Sequence, residues 1–106
     1  MDLHRLAEER SIAYHEVIAR RLQHDPAILE AARKRVRDWL VATDGRPPYA
    51  SAWAEILSQG SEAIAGFLID RGERARALRQ STPFAGALGA RERWQLWKEV
   101  REREHE

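Results

Sequence analysis

The chain has no cysteine. That excludes disulfides and thiolate-held metals, and it fits a reducing compartment. No apolar run approaches the roughly 20 residues that a membrane-spanning helix needs. The opening Met-Asp-Leu-His-Arg-Leu lacks the basic start and apolar core of a secretory signal. A cytoplasmic protein without membrane contact is the expectation. An excess of one charge is also missing, with 18 basic residues against 17 acidic, a net +1. Such a balance gives no global attraction to nucleic acid or to an anionic membrane. Strand-forming runs, internal repeats and low-complexity tracts are absent as well.

What is present is 106 residues rich in Ala, Leu, Glu and Arg, which are good helix formers. The length suits one domain, residues 1–106, able to bury roughly 60–70% of its unfolded surface. Charges are mixed locally too. Residues 1–44 carry eight of each sign and residues 90–106 carry five of each. Only residues 70–89 lean one way: Arg71, Arg74, Arg76 and Arg79 face Asp70 and Glu73, a local +2. Every cation there is arginine, the residue suited to bidentate contact with carboxylate or phosphate.

The apolar spacing predicts five to six helices in a compact all-α bundle. The first runs from about Asp2, as N-cap, to Leu22, with Leu3, Leu6, Ala13 and Val17 on one face and Tyr14, Ile18 and Leu22 widening it. Asp25-Pro26 is a strong start signal for the second. It carries the stripe Leu29, Ala32, Val36, Trp39 and Leu40, and it ends near Thr43-Asp44-Gly45, where Gly45 suits a left-handed terminus. These two long helices read as an αα-hairpin. Arg46-Pro47-Pro48 is a stiff connector. Three short helices follow, over about 49–58, 62–70 and 72–80. The third of the chain faces Tyr49, Trp53, Ile56 and Leu57 inward. Ser61 caps the fourth, which buries Ile64, Phe67 and Leu68. The fifth points Ala75 and Leu78 inward. A last helix over about 90–103 carries Trp94, Trp97 and Val100 as its seam, and residues 101–106 are expected to fray. Leu29, Val36, Trp39, Trp53, Phe67 and Leu78 form the expected core.

One segment is specified in more detail than a connector requires. Leu78-Arg-Gln-Ser-Thr-Pro-Phe-Ala-Gly-Ala-Leu88 interrupts the helices directly before the tryptophan-bearing one. Two readings stand side by side. In one, Arg76, Arg79, Gln80, Ser81 and Phe84, with Trp94 or Trp97, form or support a partner-binding surface, since Arg and Trp are enriched at interface hot spots. In the other, the loop is a lock, with Phe84 plugging the bundle and Arg79 tied to a helix C-terminus.

Catalytic and metal chemistry find little support. His4, His15, His24 and His105 have no His-Glu-x-x-His or other paired-ligand spacing and read as solvated or singly bonded. Ser81 and Thr82 lack a nucleophile elbow, and Ser81 reads as a cap. There is no phosphate-cradling glycine loop. No metal and no cofactor is expected. Two basic clusters, Arg33-Lys34-Arg35 with Arg37 and the arginines of 71–79, keep nucleic-acid binding open as the second reading.

Ser11-Ile12-Ala13-Tyr14-His15, Asp25-Pro26, Tyr49-Ala50-Ser51-Ala52-Trp53, the 78–88 segment and Arg93-Trp94 together span most of the chain. In these the sequence resembles small uncharacterised all-helical bacterial proteins that accompany gene pairs of toxin–antitoxin type. The resemblance implies an antitoxin-like partner that binds and neutralises a toxin protein. It carries no catalytic motif. The chain also lacks a ribbon-helix-helix or helix-turn-helix half and a long disordered tail. The function expected is a non-enzymatic protein-interaction module, with a DNA- or RNA-associated regulator second and a small-molecule enzyme third. Self-association is compatible with either of the first two.

Overall fold

A computed structural model describes residues 2–104. Among the described residues there are six helices and no strand: α1 Leu3–Arg21, α2 Pro26–Thr43, α3 Pro48–Leu57, α4 Ser61–Leu68, α5 Glu73–Arg79 and α6 Ala90–Glu104. The Cα radius of gyration is 14.1 Å. A globular chain of this length is expected near 13 Å, so the bundle is slightly elongated.

The long helices start where their capping residues stand. The Asp2 carboxylate accepts from the His4 backbone N–H at 2.9 Å, and that of Asp25 from Ala27 at 3.2 Å. Pro26 takes the first turn of α2, where its missing N–H has no partner to lose. At the far end Asp44 is left-handed first, at φ 56°, and Gly45 follows at φ 72°. The Gly45 N–H then returns to the Leu40 carbonyl at 2.9 Å, closing the helix. Ser61 does not cap α4 as expected. It is the first helical residue, behind Gly60, and no side chain caps that end.

The helices pair differently from the expected αα-hairpin. α1 and α2 are joined by a tight turn, yet α1 lies chiefly against α6 and α4, while α2 lies against α3. Ion pairs fasten α1 in place. Arg21 pairs with Glu92, and Arg5 reaches Glu104 at 3.0 Å, both on α6. Arg71 grips Glu9 through two contacts at 2.8 and 3.2 Å. The expected fraying of 101–106 is not seen through Glu104, which is helical; residues 105 and 106 lie outside the described residues, as does His105.

The core centres on Trp53, which is fully buried. Its indole N–H donates to the Leu78 carbonyl at 3.1 Å, and its ring meets Phe67 and Phe84 edge-on. Ile18, Ile64, Leu68 and Leu88 belong to the same buried cluster, and Val100 of α6 is buried as well. Leu29, Val36 and Leu78 are buried as expected. Trp39 and Phe67 are only half-buried. Trp39 packs its ring edge against Tyr49, itself exposed, while the Arg74 guanidinium sits over Phe67. Leu3, in the first turn of α1, is 78% exposed and takes no part in the core.

Candidate functional site

The 80–88 segment is held to α1 by two consecutive side chains. The Tyr14 hydroxyl donates to the Phe84 carbonyl at 2.6 Å and receives a longer contact, 3.5 Å, from the Leu88 N–H. His15 Nδ1 lies 2.7 Å from the Ser11 carbonyl. A carbonyl only accepts, so Nδ1 carries the proton and Nε2 is left as an acceptor. The Thr82 hydroxyl, 2.8 Å away, therefore donates to Nε2. The same Thr82 oxygen accepts from the Phe84 N–H at 3.1 Å, a turn that Pro83 stiffens. Phe84 follows as a plug, 2% exposed. Gly86 takes φ +85°, and Arg35 on α2 holds the neighbouring Ala85 carbonyl at 2.7 Å.

Arg79 closes the segment from the other side. Its Nη1 donates to the Leu68 and Asp70 carbonyls at 3.2 and 2.6 Å, satisfying the end of α4. The side chain is 4% exposed. Its Nε and Nη2 are buried without a partner, and so is the Nε of Arg10 on α1.

Between α1, this segment and α6 lies a cavity of about 400 Å³. Arg10, Arg79 and Arg93 line it, with Tyr14, Trp97 and Thr82. Among the described residues no aspartate or glutamate does. The acids nearby pair with other arginines: Glu8 with Arg76 at 3.3 Å, Glu9 with Arg71, and Glu92 with Arg21. Three arginines thus line one hollow with no carboxylate among its described walls.

Burial pushes His15 down to about 4. The Ser11 carbonyl opposes this, and the Arg79 charge adds to it. His15 is therefore neutral near pH 7, consistent with Nε2 acting as acceptor. Burial also lowers Arg79, with Asp70 opposing. Arginine starts so high that it keeps its charge. The paired Arg71 holds Glu9 below the usual carboxylate range.

The sequence-predicted surface residues part company here. Trp97 and Arg79 line the cavity. Arg76, Arg79 and Gln80 meet in a smaller hollow of about 120 Å³ beside it, along with Ser11. Phe84 lies in the core, so it supports the surface from beneath. Ser81 is half-buried and its hydroxyl donates back to the Leu78 carbonyl at 3.3 Å, capping α5. Trp94 is 66% exposed, one turn before Trp97. Arg10, Tyr14, His15, Thr82 and Arg93 are the residues of this site that the surface reading passes over. His15, with two hydrogen bonds, is neither solvated nor singly bonded. Its signal is its place between Ile12-Ala13-Tyr14 and Ile18 on a buried face. Nothing in the sequence singles out Arg10 or Arg93.

The basic clusters are largely spent on the fold. Arg33 donates to the Leu57 carbonyl at 2.9 Å, Lys34 pairs with Asp38, and Arg35 holds Ala85. Arg71, Arg76 and Arg79 are engaged as above. Among the described residues no three His, Asp or Glu side chains gather as a metal-ligand set, and no helix is long and apolar enough to cross a membrane. No protein-family model, no curated protein and no solved structure matches the chain.

Proposed function

We propose that the chain is a non-enzymatic protein-interaction module, an antitoxin-like partner that binds and neutralises a toxin protein. The observation that carries this reading is the acid-free, arginine-lined cavity with the exposed Trp94 one turn from its Trp97 wall. Tryptophan and arginine are the side chains most often central to protein interfaces. A large indole left in water on the helix that supplies Arg93 and Trp97 to the cavity is surface that a protein partner would cover.

Two further observations support it against the alternatives. Among the described residues the one hydroxyl–imidazole pair, Thr82 with His15, is engaged in holding the loop, and a base lowered to about 4 is a poor proton acceptor from an alcohol. The basic clusters that suggest nucleic acid mostly have intramolecular partners, which leaves few cations for a phosphate backbone.

The test is affinity purification of the tagged chain from its host, for the wild type and for Trp94→Ala. The expected result is a stoichiometric protein that the wild type retains and the variant loses, at an unchanged melting temperature. Recovery of nucleic acid instead, or a partner indifferent to Trp94, overturns the reading.

A further inference from the structure

We propose that the cavity walled by Arg10, Arg79 and Arg93 is a carboxylate receptor, which seats a glutamate or aspartate side chain presented by the partner protein. This deepens the interaction-module reading and rests on it for the source of the acid.

Three observations point to an anionic occupant. The first is composition. Arginines from α1, α5 and α6 line it, and among the described residues no acidic side chain does. Like charges gathered in one pocket repel unless an anion joins them. The second is the fate of the local acids. Glu8 and Glu9 stand next to Arg10 in sequence, yet they pair with Arg76 and Arg71. Arg10 is left unmatched by its own neighbours. The third is independent of charge counting. Arg79 is 4% exposed and keeps Nε and Nη2 unpartnered, and Arg10 Nε is unpartnered too. A buried donor without an acceptor is unfavourable, and more so when it is charged. Two of the three arginines of the cavity thus carry buried donors without an acceptor, which an incoming oxygen would satisfy once the side chain turns toward the hollow.

The remaining walls narrow the chemistry. His15 and Thr82 satisfy each other, so they offer a ligand no free polar group. Recognition falls to the arginines, whose planar forks match the two oxygens of a carboxylate. Ala7, Ala85, Tyr14 and Trp97 supply apolar surface for the methylene stem of an acidic side chain. Trp94 stands exposed on α6 one turn before the Trp97 wall, so the acid would arrive on a larger body that also covers that indole.

The experiment is an NMR titration of the full chain, observing arginine Nε–H and tryptophan indole resonances. The probes are an acetylated, amidated hexaglutamate peptide, its hexaglutamine counterpart and inorganic phosphate. The expected result is that hexaglutamate shifts the Arg10 and Arg79 Nε–H signals and the Trp97 indole, while hexaglutamine does not. Arg10→Ala and Arg93→Ala should each weaken that binding tenfold or more. Arg91→Ala, on the same helix but outside the cavity, should change it less than twofold. Arg79 is left intact because it also holds the end of α4. Equal response to hexaglutamine, an unmoved affinity in Arg93→Ala, or tighter binding of phosphate than of the peptide each overturns the receptor. The last outcome marks a small-anion site instead. The two readings fail separately. A cellular partner that stays on Arg10→Ala and Arg93→Ala but leaves Trp94→Ala overturns the receptor and spares the module. Peptide binding without any protein partner does the reverse.

Discussion

Thr82 and His15, 67 residues apart in sequence, share a hydrogen bond of 2.8 Å that ties the imidazole, its tautomer set by the Ser11 carbonyl, to the turn leading to Phe84. The bond uses the neutral ring as acceptor. Protonation of Nε2 replaces that acceptor with a donor, in a site too buried to hydrate the charge.

Stability should therefore depend on pH through His15. Its folded value is depressed to about 4 from an ordinary 6.5. The unfolded chain then binds the extra proton first, so stability is full above about 6.5 and falls as pH drops toward 4. Between pH 7 and pH 5 the loss from this one group should be about 2 kcal/mol. Urea unfolding at the two pH values measures it. His15→Asn should remove most of that slope; a slope that survives the substitution assigns it to other groups.

Tyr14→Phe should destabilise the fold by roughly 0.5–1.5 kcal/mol, because it removes one of two donors to the buried Phe84 carbonyl, which keeps the Ala87 N–H at 3.1 Å. The ring and its edge contact with Trp97, at 6.3 Å between centroids, remain. Thermal melting reads the change, and a variant as stable as the wild type would show that water replaces the hydroxyl.

Trp53→Ala should cost roughly 3–5 kcal/mol or prevent folding outright. Trp39→Ala should cost distinctly less, since Trp39 is only partly buried. Equal losses for the two in chemical denaturation would mean that Trp39 supports more than its contact with Tyr49 and the core edge.

The glycines separate by backbone. Gly66 lies inside α4 with nothing within 4 Å of an added Cβ, so Gly66→Ala should stabilise by up to about 1 kcal/mol. Gly86 sits at φ +85°, where Gly86→Ala should cost about 1–2 kcal/mol although space is available. Melting temperatures should move in opposite directions.

Much of the fold is legible in the chain because the signals are local. Asp2, and Asp25 with Pro26, mark helix starts within a few residues of where they act. The stripe through Leu29 and Val36 gives α2 its inner face. The pairing of helices is not local. Whether Trp94 or Trp97 faces inward depends on where α1 lies across α6, and the two positions differ by only roughly 60° around the helix. Arg79 stands among other arginines, and the sequence leaves it either on a binding surface or tied to a helix C-terminus. Only the end of α4 beneath it, brought there by tertiary packing, turns it into a buried tie. The site is legible as a special segment with Pro83 and Gly86, but its walls are not. Arg10 and Arg93 come from opposite ends of the sequence and meet only in three dimensions.

The packing of α1 on α6 sets an order of events for synthesis and folding. Contacts between such distant segments form late, because closing a long chain is entropically unfavourable until the nearer helices are in place. A nascent chain stopped before α6 lacks Arg93 and Trp97, and so lacks a cavity altogether. Partner recognition through this hollow would thus act as a checkpoint on completion, open to the finished fold and closed to its fragments.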